Sequence, residues 1–271
     1  MGSWTLGDIP WDRFEGSLVD RDILAIVKAA SLVEGNGAAY AKHLCLVFAD
    51  DPGFQEAARR WGEEENRHGL ALGRWAALAD ADFDFAAALA RFRAGYRIDF
   101  DRGTSRRGSR CGEMIARCIV ETGTSSYYTA LREASREPVL KEICRHIAAD
   151  ELRHYKLFYK TMQRYREREG LGLGDRLAVA ARRLAEARDD ELAFAYYAAN
   201  EGGRPYDRRR CSRAYARRAY AVYRRHHVER GVAMILKAVG LTPNGRFSRA
   251  ASGALWQAMR WRHARLAHMA A

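Results

Sequence analysis

A Glu-x-x-His motif that occurs twice constrains this 271-residue chain more than any other feature. Another glutamate precedes the first motif by 31 residues and the second by 30. The six residues involved are Glu34, Glu65, His68, Glu121, Glu151 and His154. A Glu and a His three positions apart on a helix project from the same face. Each half of the chain therefore offers three metal-binding side chains to a common interior.

The residues around the first motif have the periodicity of amphipathic helices. A first helix is expected from about Asp20 to Asp50, with Glu34 on its apolar stripe. Residues 50–53 contain Asp, Pro and Gly and predict a break followed by a helix start. Apolar side chains then flank the motif on the second helix: Trp61, Leu72 and Trp75. This flanking indicates that the first motif points into a core.

The second motif has the same setting. Residues 99–111 are polar, glycine-containing and basic, which predicts a loop between the second and third helices. The third helix carries Glu121 and Thr124 on one face with apolar residues. The fourth begins after Glu137-Pro138 and contains Glu151 and His154. The glycine-rich stretch 170–174 ends this unit.

Four glutamates and two histidines on four helices are the ligand set of ferritin-like di-iron or di-manganese bundles. We therefore predict an all-α fold, with a ferritin-like four-helix bundle and a long crossover in residues 1–170. Residues 171–271 are predicted to form a basic helical extension packed on the bundle. Its helical stretches are expected at roughly 175–200 and 207–239, followed by a turn at residues 243–245 and a further tail.

The ligand types also indicate which metal is expected. Carboxylate oxygen and imidazole nitrogen without a thiolate favour iron or manganese over structural zinc. Two divalent cations would neutralise carboxylates that otherwise repel one another in a core. One histidine per metal leaves positions open for O2. The expected cofactor is two Fe ions, with Mn as the alternative. Asp150 is interpreted as an acceptor for the free N–H of a ligand histidine, or else as an ordinary solvated helix residue.

The net charge of +12 is unevenly distributed. Residues 1–170 contain 26 basic and 26 acidic residues, whereas residues 171–271 contain 20 and 8. Such a block indicates a surface that meets an anionic partner. Alternatively, its tyrosines pack on the bundle while its arginines stay solvated. The arginines concerned are Arg208, Arg209, Arg210, Arg217, Arg218, Arg224 and Arg225. The nearby pair His226-His227 is interpreted as part of this polar face rather than as a third metal site.

Composition places the chain in a reducing compartment. No apolar run approaches the roughly 20 residues that a membrane-spanning helix needs. Five cysteines without a C-x-x-C motif are interpreted as buried apolar residues, because disulfides are rare in the cytoplasm. A cytoplasmic location is therefore expected.

The segment Trp61-Gly62-Glu63-Glu64-Glu65-Asn66-Arg67-His68-Gly69 resembles the second core helix of the soluble acyl-acyl-carrier-protein desaturases, which reads W-x-x-E-E-N-R-H-G. The segment from Asp150 to His154 is similar to the D-E-x-R-H motif of that family. Glu121 and Thr124 resemble its third-helix ligand and active-site threonine, and Glu34 corresponds to its first-helix ligand. The similarity covers about residues 20–165.

This resemblance implies a di-iron enzyme that activates O2 and removes hydrogen from an acyl chain. This acyl substrate would be attached to an acidic acyl carrier protein, and a ferredoxin would supply electrons. Thr124 would assist proton delivery, and Trp61 would lie near the metals, on an electron path. Tyr127 and Tyr128 fall in a region that helps to line the family's substrate channel. The resemblance also favours a homodimer, and nucleic acid is not an expected partner.

Two other functions fit the same ligands. One is a ferritin- or rubrerythrin-like protein that handles iron or peroxide, although the chain has no C-x-x-C pairs for a rubredoxin centre. The other is a di-iron hydroxylase or N-oxygenase that acts on another substrate. Desaturation and hydroxylation of an acyl chain are not distinguished by the residues themselves.

Overall fold

The protein is described from a computed structural model that covers residues 4–96, 103–186 and 190–268. Every regular element in these three ranges is helical, which confirms the all-α prediction. Three short 3-10 turns, Leu6–Asp8, Trp11–Arg13 and Gly16–Leu18, precede the α-helices. The α-helices are α1 (Arg21–Glu34), α2 (Gly37–Val47), α3 (Pro52–Ala79), α4 (Phe85–Gly95), α5 (Arg110–Ala134), α6 (Pro138–Glu169), α7 (Leu173–Glu186), α8 (Asp190–Asn200), α9 (Arg208–Val222), α10 (Arg225–Val239) and α11 (Arg246–His268).

Five of these helices form the bundle that the sequence predicts, with α1 and α2 together in the place of its first helix. α1 and α2 follow one another and pack on α3, while α5 packs along α6. α4 and the residues after it connect α3 to α5, in the place of the long crossover. Part of the loop predicted at residues 99–111 lies outside the described residues, and the remainder runs to the start of α5 at Arg110.

The single first helix predicted from Asp20 to Asp50 is wrong, because the chain turns at Gly35 and Asn36. The reason is the close approach of α3. A Cβ atom at Gly69 would lie 2.5 Å from the backbone nitrogen of Gly35, and one at Gly37 would lie 2.3 Å from Cβ of Glu65. Glycine is thus needed on both sides of this contact, although it weakens a continuous helix. The break leaves Glu34 at the end of α1.

The ends of α6 follow the sequence signals. Glu137 caps its first turn, with carboxylate oxygens accepting the backbone N–H groups of Val139 (3.2 Å) and Leu140 (2.7 Å). The indole N–H of Trp75 also donates to this carboxylate, at 2.7 Å. Pro138 occupies the first position of the helix, where its missing N–H costs nothing. Gly170, with a φ of +65°, ends it.

The C-terminal segments are more divided than predicted. The stretch 175–200 contains α7 and α8, and the stretch 207–239 is broken at Tyr223 and Arg224 into α9 and α10. α8 packs on α1, and α10 packs on α5. Side chains of α8 and α9, including Tyr196 and Cys211, are buried in the same cluster as Trp75 and Tyr128. The division of the chain at residue 170 stays a prediction.

Within the described ranges, none of the helices combines the length and the apolarity that crossing a membrane would require.

Candidate metal centre

The six residues of the two motifs meet in the middle of the bundle. They form two groups whose ligand atoms lie within 4.8 Å of one another. One group is Glu34, Glu65, His68 and Glu151, and the other is Glu65, Glu121, Glu151 and His154. All six are buried, with at most 8% of the residue surface exposed. Glu65 and Glu151 therefore lie between two sites, each completed by one further glutamate and one histidine.

Each of the six side chains presents a buried atom that has no hydrogen-bond partner. These atoms are Glu34 Oε2, Glu65 Oε1, His68 Nδ1, Glu121 Oε2, Glu151 Oε1 and His154 Nδ1. They face one another: Nδ1 of His154 lies 3.1 Å from Glu65 Oε1, and Nδ1 of His68 lies 3.3 Å from Glu151 Oε1. Leaving a buried polar atom unpaired costs about 1–3 kcal/mol, and more when it is charged. Six such atoms around one interior fit cations as their missing partners.

The electrostatics of the cluster agree with this. Burial, followed by repulsion from Glu151 and Glu34, raises the pKa of Glu65 well above its usual range. Burial and the Glu151 charge raise the pKa of Glu121 to about 8. Burial alone would lower the pKa of His68 and of His154, but the close carboxylates on both sides of each ring outweigh it and raise both. The cluster therefore retains protons that bound cations would displace.

Asp150 supports His68 from outside the centre. Its Oδ2 lies 3.1 Å from Nε2 of His68, and because an ionised carboxylate only accepts, Nε2 carries the proton. Arg153 donates to the other oxygen of Asp150 at 2.6 Å, and the indole N–H of Trp4 donates to Oδ2 at 2.8 Å. These contacts confirm the interpretation of Asp150 as the histidine's acceptor. They leave Nδ1 of His68 facing the cluster.

Glu64 has the same position beside the other histidine, although its role was not predicted from the sequence. Its Oε2 lies 2.7 Å from Nε2 of His154. The two supports cross: α3 supplies the acceptor for the histidine of α6, and α6 supplies the acceptor for the histidine of α3. A signal was present, because Glu64 precedes Glu65 just as Asp150 precedes Glu151.

Thr124 lies directly beside the centre. Its hydroxyl donates to Oε2 of Glu151 at 2.6 Å and lies 3.2 Å from the carbonyl of Glu121. The helical spacing of three residues accounts for its place next to Glu121. Its catalytic role stays a prediction.

Tyr128 contacts the centre through its hydroxyl, which donates to Oε1 of Glu34 at 2.6 Å. The residue is 1% exposed, so this bond is shielded from water. The family resemblance implied only that Tyr128 lies in a region that helps to line a substrate channel. The bond to Glu34 depends on the packing of α1 against α5, which local periodicity does not reveal.

Two tryptophans flank the histidines. Trp61 meets the ring of His154 edge-on, with centroids 6.4 Å apart, so it lies near the centre as the resemblance implied. Trp4 stacks on His68, with centroids 6.0 Å apart and planes within 4° of parallel. Trp4 belongs to an N-terminal segment without helical periodicity, so the sequence held no signal for it.

A third cluster, Glu133, His226 and His227, lies outside the bundle core, at the start of α10. The backbone N–H of Arg224 donates to Nδ1 of His227 at 3.0 Å. A neutral His227 therefore carries its proton on Nε2, which faces Glu133 at 3.2 Å. Nε2 of the exposed His226 also lies 3.3 Å from Glu133, and this exposed arrangement favours a polar face over a metal site.

Comparison with known proteins shows which families this chain resembles. A family model described as fatty acid desaturase matches residues 46–173, a segment that contains all the residues of the two sites except Glu34. Proteins from two strains of Mycobacterium tuberculosis, provisionally named acyl-[acyl-carrier-protein] desaturase DesA1, are 25% identical to the chain over 162 residues. The match covers 58% of this chain and 47% of theirs, so the chain spans about half the length of the curated relatives it matches. These findings confirm the resemblance of this chain to the fatty acid desaturases of the acyl-acyl-carrier-protein type.

Proposed function

We propose that this protein is an O2-dependent di-iron oxidoreductase that desaturates or hydroxylates an acyl chain attached to an acyl carrier protein. The comparisons support a desaturase-like oxidoreductase at the level of the family. The observation that carries the proposal is the set of six buried, unpartnered ligand atoms arranged in two overlapping groups.

The six candidate ligand residues would hold two ions. Glu34 and His68 would hold one ion, Glu121 and His154 would hold the other, and Glu65 and Glu151 would contact both. Oxygen and nitrogen ligands without sulfur fit iron, with manganese as the alternative. Two bound irons would supply the capacity to react with O2 and to exchange two electrons.

The chain's own residues prepare this site. Asp150 and Glu64 fix the proton of each histidine on Nε2 and so direct the Nδ1 lone pair inward. Because the hydroxyl of Thr124 already donates to Glu151, it has a proton available at the edge of the centre. Tyr128 holds one oxygen of Glu34 in place.

Apolar side chains keep water away from the centre. Trp61 is buried against the ring of His154, and its own ring lies 5.4 Å from that of the buried Phe158, near edge-to-face. Exclusion of water strengthens electrostatic interactions within a site and limits side reactions of reactive intermediates. This environment suits oxidative attack on an unactivated hydrocarbon.

The partners belong to the same proposal. The relatives' name specifies an acyl-acyl-carrier-protein substrate, and we extend that substrate class to this chain. A ferredoxin-type electron donor, a homodimeric assembly and a cytoplasmic location complete the proposal by analogy with the family resemblance.

Metal loading and product analysis test the function together. The full chain is reconstituted anaerobically with Fe(II), and its iron content is compared with that of Glu151→Ala and of Glu167→Ala. Glu167 is an exposed glutamate on the same helix and serves as the matched control. We expect about two irons per chain in the parent and in Glu167→Ala, and a clear loss in Glu151→Ala.

The loaded protein is then given O2, a reductant and an acyl carrier protein that carries a saturated chain. Mass spectrometry distinguishes loss of two hydrogens from gain of one oxygen. A parent without bound iron would overturn the di-iron proposal. Many irons per chain without an organic product would favour iron storage instead.

A further inference from the structure

The arginine-rich helix α9, together with the start of α10, is largely neutralised by acidic residues. Of the seven arginines that the sequence singled out, six form an ion pair among the described residues. Arg210 pairs with Glu201 at 2.6 Å, and Arg218 pairs with Asp22 of α1 at 2.8 Å. These pairs attach α9 to its neighbours. Its charge is therefore less available to an anionic partner than the sequence indicates.

An uncompensated basic surface lies elsewhere, at the turn between α5 and α6. A shallow groove of about 490 Å³ is lined by Arg132, Arg136, Pro138, Lys141, Glu142 and Arg145. We name it the basic groove. It contains four cationic side chains and a single carboxylate.

The carboxylate does not neutralise the groove. Glu142 is already bonded to Arg145, at 2.5 Å, and lies 3.2 Å from His146. Arg132, Arg136 and Lys141 are exposed, and none of them forms an ion pair within the described ranges. Three free cations converging on one concave surface create a local positive potential that favours an anionic partner.

The basic groove lies at one end of the helix pair that carries half of the metal centre. Arg132 follows Thr124 by eight residues on α5, which is about 12 Å along the axis. Lys141 precedes Glu151 by ten residues on α6, or about 15 Å. A partner docked at the groove is therefore close enough to deliver a tethered substrate toward the centre.

We propose that the basic groove docks the acidic surface of an acyl carrier protein, an inference that rests on the proposed function. A second copy of this chain is a poorer occupant, because two such surfaces would bring like charges together. A nucleic acid is also poorer, because an extended phosphate backbone needs cations along a longer track than this single turn provides.

Binding of the carrier to the full chain tests the proposal. The probe is an acyl carrier protein that carries a saturated chain, titrated calorimetrically at low and at moderate salt. The groove variant is Arg132→Glu/Arg136→Glu/Lys141→Glu. The control variant, Arg209→Glu/Arg213→Glu/Arg230→Glu, changes the net charge equally on exposed arginines of α9 and α10. We expect the groove variant to bind at least about tenfold more weakly and the control to stay within about twofold of the parent.

Three further measurements make the result decisive. Circular dichroism and iron content of both variants should match those of the parent, and milder Arg→Gln and Lys→Gln changes replace any variant that misfolds. The same carrier without its phosphopantetheine arm should still distinguish the groove variant from the parent, because the protein surface is what docks. If removal of the arm abolishes that difference, a phosphate site replaces the proposal.

Equal weakening in both variants, weakening only in the control, or no carrier binding by an iron-loaded parent would each overturn the inference. Groove-dependent binding of a single-stranded oligonucleotide in place of the carrier would do the same. These outcomes leave the metal content unchanged, whereas an iron-free parent would refute the proposed function itself. The two failures are therefore distinguishable.

Discussion

Gly69→Ala should destabilise the protein and loosen its metal centre, because α3 touches the backbone of α1 at this point. The added methyl group would lie 2.5 Å from the nitrogen of Gly35, 2.7 Å from its Cα and 2.9 Å from the carbonyl of Ser31. All three are backbone atoms, so no side chain can move aside. Overpacking costs about 1–3 kcal/mol, and contact with rigid backbone places this case near 3 kcal/mol.

Part of this cost is offset. Replacing glycine by alanine inside a helix contributes about 0.5–1 kcal/mol of stability. The net loss is then about 2 kcal/mol, which lowers the melting temperature by roughly 4–8 °C in a domain of this size. Gly35 and Gly69 adjoin Glu34 and His68, so separating the two helices should also reduce iron content.

Thermal denaturation followed by circular dichroism, with iron analysis on the same samples, measures both effects. Gly123→Ala is the matched control, since it lies in α5, is exposed and has no atom within 4 Å of the new methyl group. It should raise stability by about 0.5–1 kcal/mol. A Gly69→Ala protein that is as stable as the parent and fully loaded would refute the close approach of α1 and α3.

Three other predictions follow from the centre. Asp150→Asn should weaken metal binding by about 10–100-fold, measured by equilibrium titration with Co(II), since it removes the anchor of the ligand histidine; unchanged affinity would contradict this role. Tyr128→Phe should lower the unfolding free energy in urea by about 1–3 kcal/mol, because a buried oxygen of Glu34 loses its donor; an unaltered midpoint would contradict it. In the metal-free protein, the pKa of Glu121 is raised from 4.5 to about 8. The contribution of its protonated carboxyl to stability is therefore complete below about pH 4.5 and is lost as the pH rises through about 8. Between pH 6 and 9, the melting temperature of the metal-free protein should therefore fall more steeply with rising pH in the parent than in Glu121→Gln. An equal pH dependence in both proteins would contradict this.

The meeting of the six candidate ligand residues was predictable because it depends on local periodicity. A spacing of three on a helix places Glu65 beside His68 whatever surrounds them, and the repeat at Glu151 and His154 supplies the second half. Apolar neighbours then indicate which face is buried. The core helices α3, α5 and α6 were predictable for the same reason, and Pro and Gly signals helped to place the ends of α3 and α6.

What the sequence did not reveal depends on tertiary contacts. The break after Glu34 arises because α3 approaches too closely for side chains, and no local signal states that distance. Tyr128 and Trp4 reach the centre from elements whose packing is set by the whole bundle. The net charge of residues 171–271 was correct as a count, yet the pairing of Arg218 with Asp22 shows that a count does not locate a free surface.

Anomalous diffraction at the iron absorption edge, from crystals of the protein loaded anaerobically with Fe(II), tests the central claim most directly. Two peaks are predicted inside the bundle, about 3.5–4 Å apart. One should lie between Glu34 and His68, the other between Glu121 and His154, with Glu65 and Glu151 reaching both. A bundle without peaks, or iron bound only at Glu133 and His226, would contradict the di-iron account.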